Sequence, residues 1–168
     1  MKVAILTPGP CATLYFYEPG RYDLLIGVNR ACQMAPCDFV VMRDVLLLKE
    51  VDPLGKPVMC AARINLRLMQ SICPKKMRGL PMHDLPPNGE LSAISALKLA
   101  VEKGGTQVDC YGMSLGGDAD YDGWTHEMTN RTQKRWKMER TLLADQFRAM
   151  RNAGVKVKRI LRRCDLTM

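Results

Sequence analysis

The side chains best suited to chemistry are concentrated in the segment 112–129, which contains three aspartates and two aromatic residues. It also contains His126, one of only two histidines in the chain. An imidazole titrates near neutral pH, so His126 is a candidate general base. Asp118 is a candidate catalytic carboxylate, and an acidic loop of this kind can hold a divalent cation such as Mg²⁺ or Mn²⁺. The spacing does not match an EF-hand, and we assign no set of metal ligands. The competing interpretation is a polar surface loop stabilised by Asp turns.

Two arginines follow this segment in a predicted helix. Arg131 and Arg135 are four residues apart and therefore share one helix face, from which their guanidinium groups could clamp a phosphate. The competing interpretation is a solvated basic face on which Arg135 pairs with Glu139. The two interpretations differ in whether a ligand or a neighbouring carboxylate takes up the positive charge.

A stiff turn follows the first predicted strand and contains Gly9, Pro10 and Cys11. Gly9 lets a ligand approach the backbone closely, the flanking prolines restrict the turn, and backbone amides here could meet a phosphate. The turn lies at the carboxyl end of a strand, where open parallel sheets bind their ligands, so these residues are candidate nucleotide contacts. They match neither the dinucleotide fingerprint nor the P-loop, and both of those site classes are disfavoured.

Five more candidate nucleotide contacts stand where strands end or helices begin. Asn29 and Asp44 each close a predicted strand, and their side chains could hydrogen-bond a base, a ribose or a metal-bound phosphate. Gly112 follows a later strand directly. Asn88 and Gly89 precede a predicted helix and become ligand contacts if its N-terminus faces the same crevice. The competing interpretation is structural, with Asx turns at Asn29 and Asp44 and a turn or N-cap at Asn88.

Alternating strands and helices must position these residues. Short apolar runs predict strands at 3–7, 24–28, 38–42, 57–60, 107–111 and 155–160. Helical spacing and glycine punctuation predict helices at 91–103 and 130–153, with a short helical segment at 45–50 and an ambiguous segment at 64–72. The stretches 73–90 and 112–129 are predicted to be long loops that carry a site or a lid. The alternation predicts an α/β, single-domain, Rossmann-like fold with a mostly parallel sheet and helices on both faces.

This fold gives two geometric expectations. The strands should be parallel and should bring the residues that follow them to one shared carboxyl edge: Gly9, Asn29, Asp44 and Gly112. The segment 112–129 should fold over the Gly9 turn and bring His126, Arg131 and Arg135 near the phosphates of a ligand.

Length and composition bound the class of protein. The chain has 168 residues, which is enough for one domain over 1–168 with a real core. No apolar run approaches the roughly 20 residues of a membrane span and no secretory signal is recognisable, which predicts a cytoplasmic protein without a membrane partner.

Seven cysteines without a CxxC pair indicate reduced thiols and no zinc site. We expect Cys60 and Cys110 to be buried and Cys11 to be more accessible. A homo-oligomer is left open.

The charge balance favours an anionic partner. Lys and Arg together number 25 against 17 for Asp and Glu, which gives a net charge of +8. The excess is concentrated at 75–78, 131–140 and 156–163. Three separate basic clusters favour an anionic partner, which could be a nucleotide, a phosphorylated sugar or nucleic acid. The competing interpretation is that the positive charge only keeps the protein soluble.

The order of these motifs resembles a known group. Residues 7–14 resemble the G-N-G-P-S-L loop of bacterial sialyltransferases and related Rossmann-like proteins, through Gly9, Pro10 and Leu14. As in that group, the second strand ends in an asparagine, Asn29, and the third leads to an acidic residue, Asp44. The same layout occurs in small uncharacterised phage and prophage proteins, whose tail is similar to residues 117–123 followed by the two arginines. The resemblance covers roughly residues 1–160.

The resemblance implies a nucleotide or nucleotide-sugar ligand held by Gly9, Pro10 and Asn29, and a glycosyltransferase that moves a sugar to a hydroxyl acceptor. Two alternatives remain open. One is a metal-dependent pyrophosphoryl transferase with a divalent cation on its aspartates. The other is a non-catalytic phage protein that binds nucleic acid or a nucleotide, which the positive net charge supports.

Overall fold

A computed structural model describes residues 1–17, 22–87, 91–113, 121–123, 125 and 132–161 of the chain. The strands in these ranges are β1 (Lys2–Leu6), β2 (Leu24–Val28), β3 (Phe39–Val41), β4 (Val58–Ala61), β5 (Met82–Asp84), β6 (Gln107–Tyr111) and β7 (Lys156–Ile160). The helices are α1 (Leu14–Tyr17), α2 (Arg63–Ile72), α3 (Pro74–Met77), α4 (Ser92–Glu102) and α5 (Gln133–Asn152), with 3-10 helices at Pro10–Thr13, Asn29–Gln33 and Leu46–Lys49. The described strands form one sheet of seven, in the order β5-β4-β3-β2-β1-β6-β7. Every neighbouring pair is parallel. This is the single-domain, Rossmann-like α/β fold that the sequence predicts.

Apolar sequence decides which strands are central. In β1, β2 and β6, four of the five residues are buried. Strands covered on both faces have near-continuous apolar sequences, as β1 and β2 do. β7 instead combines three basic residues with two apolar ones, lies at one edge of the sheet and exposes Lys156 and Lys158.

The helices of the first half of the chain pack on one face of the sheet, and those of the second half pack on the other face. The segments between β1 and β5 pack on one face, where Leu66 and Met69 of α2 enter the apolar core. α4 and α5 pack on the opposite face through Leu97, Leu143 and Phe147. The strand order therefore reverses between β1 and β6. Such a switch point opens a crevice at the carboxyl edge, and ligands of parallel sheets bind there.

The long helix α5 is amphipathic, and Leu143, Phe147 and Met150 supply its buried face. Its other faces carry most of the charged residues of this segment. Within the described ranges, no helix combines the length and the apolar character needed to cross a membrane.

The fold class and the six predicted strands are confirmed, and three segments differ from expectation. β5 lies in a stretch predicted to be loop, because it is a three-residue edge strand with two exposed residues and no apolar pattern. The ambiguous segment is a full helix of ten residues, α2, and the short α3 follows it. α5 begins at Gln133, three residues later than predicted, because the Thr132 side chain caps it by accepting from the Arg135 N–H.

Candidate functional site

The loops that follow β1 and β6 bound the crevice at the switch point. The backbone N–H and the hydroxyl of Thr7 both donate to the Tyr111 carbonyl oxygen, at 2.9 and 3.1 Å. Gly112 then leaves β6 with φ at +76°, a left-handed conformation. A Cβ at this position would overlap the Thr7 carbonyl oxygen. Only glycine lets the two strand ends meet this closely, so Gly112 sets the shape of the crevice.

The turn after β1 leads into a 3-10 helix. Gly9 is extended, with φ −64° and ψ 166°, and its carbonyl oxygen accepts a hydrogen bond from the Ala12 N–H at 3.0 Å. Pro10 is the first residue of the 3-10 helix and is partly exposed. The turn therefore leaves Pro10 partly exposed at the carboxyl edge and buries Gly9, and a ligand contact by either residue stays a prediction.

The thiols differ from expectation at one position. Cys60 and Cys110 are buried, as predicted. Cys11 is also fully buried, so the expectation that it is the accessible thiol is wrong. The 3-10 helix that starts at Pro10 turns the Cys11 side chain inward. Burial raises the pKa of Cys60 to about 12 and that of Cys110 well above its ordinary value, so both thiols stay protonated near neutral pH.

Asn29, at the carboxyl edge, combines a left-handed backbone with a buried side-chain oxygen that has no hydrogen-bond donor among the described residues. It follows β2 with φ at +51°, a left-handed conformation that asparagine adopts more readily than most residues other than glycine. Its side-chain Oδ1 is buried and accepts no hydrogen bond from the described residues. Buried acceptors in native proteins are nearly always paired, because an unpaired one costs roughly 1–3 kcal/mol. Asn29 therefore carries a buried acceptor, without a hydrogen-bond donor among the described residues, at the carboxyl end of β2.

Two residues late in the chain, Tyr121 and Asp122, contact the loops that follow β1 and β2. Most of the segment 112–129 lies outside the described residues, so the expectation that it folds over the Gly9 turn as a whole stays a prediction. The Tyr121 N–H donates to the Pro8 carbonyl oxygen at 2.9 Å, and the Tyr121 hydroxyl donates to the Arg30 carbonyl oxygen at 2.9 Å. The Arg30 guanidinium donates to Asp122 through Nε at 2.6 Å and through Nη2 at 3.3 Å. The two side chains are 7% and 20% exposed, so the ion pair is largely shielded from water. These contacts join loops that are 92 residues apart in sequence.

A positively charged corner lies on the α4 side of the sheet. Arg43 follows β3, and its Nε donates to Ser95 Oγ in the first turn of α4 at 2.8 Å, while Nη2 donates to the Pro86 carbonyl oxygen at 3.2 Å. α4 begins after its N-cap residue Leu91, whose side chain cannot accept a capping hydrogen bond. A helix N-terminus carries partial positive charge, and the Arg43 guanidinium adds a full one. The corner is therefore suited to an anion such as phosphate.

Asp44 follows Arg43 at the same edge. Its side chain is exposed, and Oδ1 accepts a hydrogen bond from the Leu46 N–H at 3.1 Å. This contact is the Asx turn of the competing structural interpretation. A role for Asp44 in ligand binding stays a prediction.

Arg135 pairs within its own helix. Its Nε donates to Glu139 Oε1 at 2.8 Å, and the two side chains are 46% and 9% exposed. This is the ion pair that the solvated-face interpretation predicts. A phosphate would have to compete with the Glu139 carboxylate for this guanidinium, and the phosphate clamp stays a prediction.

Five predicted site residues lie outside the described part of the chain: Asn88, Gly89, Asp118, His126 and Arg131. Within the described part, no three His, Cys, Asp or Glu side chains are grouped so that they could hold a metal ion. The structure therefore brings the turn after β1, Asn29 and Gly112 to one edge of the sheet. The catalytic roles of Asp118 and His126 stay predictions.

Four residues at this edge were not predicted to take part in the site: Arg30, Arg43, Tyr121 and Asp122. The available signal was positional, because each arginine stands one or two positions after an apolar run that forms a strand. Nothing in the sequence links Arg30 to Asp122, since their contact depends on the fold of the whole sheet.

Comparison of the chain with protein families, with curated proteins and with solved structures finds no match. The resemblance to sialyltransferases and to phage proteins therefore stays a prediction. The geometry at the carboxyl edge of the sheet is the available indication of function.

Proposed function

We propose that this protein binds a nucleotide or a nucleotide-sugar at the carboxyl edge of its sheet, beside the switch point between β1 and β6. Asn29 is the observation that carries the proposal. It follows β2 with a left-handed backbone, and its buried Oδ1 lacks a hydrogen-bond donor among the described residues. An amino group of a base or a hydroxyl of a ribose would supply that donor.

The phosphates of such a ligand are best accommodated near the N-terminus of α4. The first-turn amides of this helix have no side-chain cap at Leu91, and the Arg43 guanidinium lies against Ser95 in the same turn. Their combined positive potential favours a diphosphate without requiring a lysine of the P-loop type. A ligand extending from Asn29 to this corner would follow the ends of β2 and β3, which are neighbouring strands.

The transfer step that we propose uses His126 as general base and Asp118 as a second catalytic carboxylate. His126 takes the proton of an acceptor hydroxyl, whose oxygen forms the new glycosidic bond as the bond between sugar and phosphate breaks. The nucleotide leaves with the electron pair of that bond. The support for this assignment is that Tyr121 and Asp122, a few residues before His126, contact the Gly9 turn and Arg30.

A thermal-shift screen tests the binding proposal, using CMP, CDP, UDP, CMP-sialic acid and UDP-glucose with and without Mg²⁺ or Mn²⁺. A ligand at about 100 times its Kd should stabilise the protein by about 2.7 kcal/mol, which is a readily measured shift. A shift that requires the metal would favour the pyrophosphoryl-transfer alternative. No shift with any of the five compounds would overturn the proposal.

The variant Asn29→Gly locates the binding site. Glycine accepts the left-handed backbone, so this substitution removes the side-chain acceptor with little strain. We expect nucleotide affinity to fall by about tenfold or more, because one buried hydrogen bond to the ligand is lost. The free energy of unfolding should fall by no more than about 1 kcal/mol. Asn152→Gly, at the exposed end of α5, is the matched control and should leave affinity unchanged.

Nucleic acid is the second candidate ligand, and the net charge of +8 favours it. An electrostatic contact to many phosphates weakens steeply with salt, by about 10³-fold or more between 50 and 200 mM when six or more phosphates are contacted. Binding of a single-stranded or double-stranded oligonucleotide with this salt dependence, together with no response to mononucleotides, would support this candidate in place of the nucleotide.

A further inference from the structure

A groove of about 510 Å³ lies beside the edge strand β7, away from the carboxyl edge. β6, β7 and the end of α5 line it, and its polar lining includes Gln107, Asp109, Arg151, Lys156 and Lys158. Gln107 and Lys156 are the first residues of their strands, so the groove opens towards the amino edge of the sheet. It is therefore separate from the nucleotide site proposed above.

Asp109 gives the groove its specific chemistry. The residue is only 2% exposed, yet it lines the groove. Its Oδ2 accepts a hydrogen bond from the Tyr22 hydroxyl at 3.0 Å, and the Tyr22 and Tyr111 hydroxyl oxygens are 2.6 Å apart. Its Oδ1 is buried and accepts no hydrogen bond from the described residues. One carboxylate oxygen is therefore held in place, and the other lacks a donor.

The tyrosine pair fixes the direction of these hydrogen bonds. A carboxylate can only accept, so Tyr22 donates to Asp109 and Tyr111 donates to Tyr22. Burial, followed by the hydrogen bonds to Tyr111 and Asp109, raises the pKa of Tyr22 well above its ordinary value. The Tyr22 hydroxyl keeps its proton, and Asp109 Oδ1 lies on the side of Lys158, a residue of the groove lining.

Two lysines form ion pairs with this carboxylate but donate no hydrogen bond to it. Lys158 Nζ lies 3.9 Å from Asp109 Oδ1, and Lys2 Nζ lies 3.7 Å from Oδ2, both beyond hydrogen-bonding distance. Lys156 and Arg151 add positive charge to the lining. A cationic ligand would be repelled by the three cations of the lining, Arg151, Lys156 and Lys158. A plain anion would be attracted to them but would offer no donor to Asp109.

We propose that this groove binds a small anion that carries hydroxyl groups, of which a sugar phosphate is the best example. A hydroxyl group donates to Asp109 Oδ1, and the phosphate lies against Lys156, Lys158 and Arg151. Charge-assisted hydrogen bonds at both ends would select for molecules that contain both groups. The proposal does not depend on nucleotide binding, because the two sites share no residue.

Isothermal titration with glucose 6-phosphate, ribose 5-phosphate, glucose and inorganic phosphate tests this proposal. Glucose lacks the anionic group, and inorganic phosphate lacks the sugar hydroxyl groups. We expect at least one sugar phosphate to bind with a Kd of about 1 mM or tighter, and glucose and phosphate to bind about tenfold or more weakly. No binding by either sugar phosphate at about 10 mM would overturn the proposal. So would equal affinity for phosphate, because that would describe a plain anion site.

Two variants separate a binding role from a structural one. Asp109→Asn keeps the shape of the side chain and should reduce the preference for sugar phosphate over phosphate by about tenfold. Lys156→Met should weaken both compounds, whereas Lys75→Met, an exposed lysine on α3, should change neither. If Asp109→Asn lowers Tm but leaves the preference intact, Asp109 serves only the fold and the proposal fails. Lys156→Met, at an exposed position, gives an independent answer if Asp109→Asn does not fold.

Discussion

Removing the Asp122 carboxylate should destabilise the protein far more than removing a carboxylate on the surface. Asp122 holds the Arg30 guanidinium in a pair whose side chains are only 20% and 7% exposed. Deleting one partner of a fully buried pair costs about 3–5 kcal/mol, because the other charge stays buried without its counterion. Asp122 keeps some contact with water, so we expect Asp122→Ala to cost about 2–4 kcal/mol. For a chain of this size, that corresponds to a fall in Tm of about 4–16 °C.

Urea denaturation and thermal melts measure this loss, and Asp145→Ala supplies the control. Asp145 pairs with Arg148 on α5, but these side chains are 58% and 72% exposed. Its removal should cost less than about 0.5 kcal/mol. Asp122→Asn retains an oxygen that can accept from Arg30, so its stability should lie between those of wild type and Asp122→Ala. Equal losses for Asp122→Ala and Asp145→Ala would refute the reasoning, because the loop contact would then be no stronger than a surface pair.

The remaining predictions concern backbone geometry and the thiols. Gly112 and Gly104 have φ of +76° and +86°, but a Cβ would overlap the Thr7 carbonyl oxygen only at Gly112. Gly104→Ala should cost about 1–2 kcal/mol of unfolding free energy, and Gly112→Ala should cost at least about 2 kcal/mol more; equal losses would show that β1 and β6 do not meet as described. Burial raises the pKa values of three thiols to about 12: those of Cys32, Cys37 and Cys60. Their stabilising contribution is complete below pH 9 and is lost as the pH rises towards 12, with a slope of up to about 4 kcal/mol per pH unit for the three together. Stability that stays level between about pH 9 and pH 11 would contradict this, as would rapid thiol labelling of the native protein at about pH 8.

The sequence predicts the parallel sheet because burial on both faces requires near-continuous apolar strands. β1 and β2 have this pattern, and the residues that follow them reach the carboxyl edge for geometric reasons alone. β5 could not be predicted from the sequence, because it is a strand only through its pairing with β4 and its own three residues are mostly exposed. An edge strand of this kind has no periodic pattern to detect.

The site is less predictable than the fold, because its contacts connect distant parts of the chain. The Asn29 position follows from the end of β2, but its left-handed backbone and its buried acceptor are tertiary features. The Arg30 contact with Asp122 spans 92 residues, and either residue alone is an ordinary surface charge in the sequence. Cys11 lies in the predicted ligand turn, yet the 3-10 helix buries its thiol.

A nucleotide titration followed by ¹H–¹⁵N NMR tests the central claim most directly. The backbone amides of Gly9, Asn29 and Gly112 lie at the carboxyl edge, whereas those of Gln107 and Lys156 lie at the opposite edge. We predict saturable shifts in the first group with CMP, CDP or UDP and unchanged positions in the second group, and Asn29→Gly should weaken the response by about tenfold or more. Saturable shifts confined to Gln107 and Lys156, or none at either edge, would contradict nucleotide binding at the carboxyl edge of the sheet.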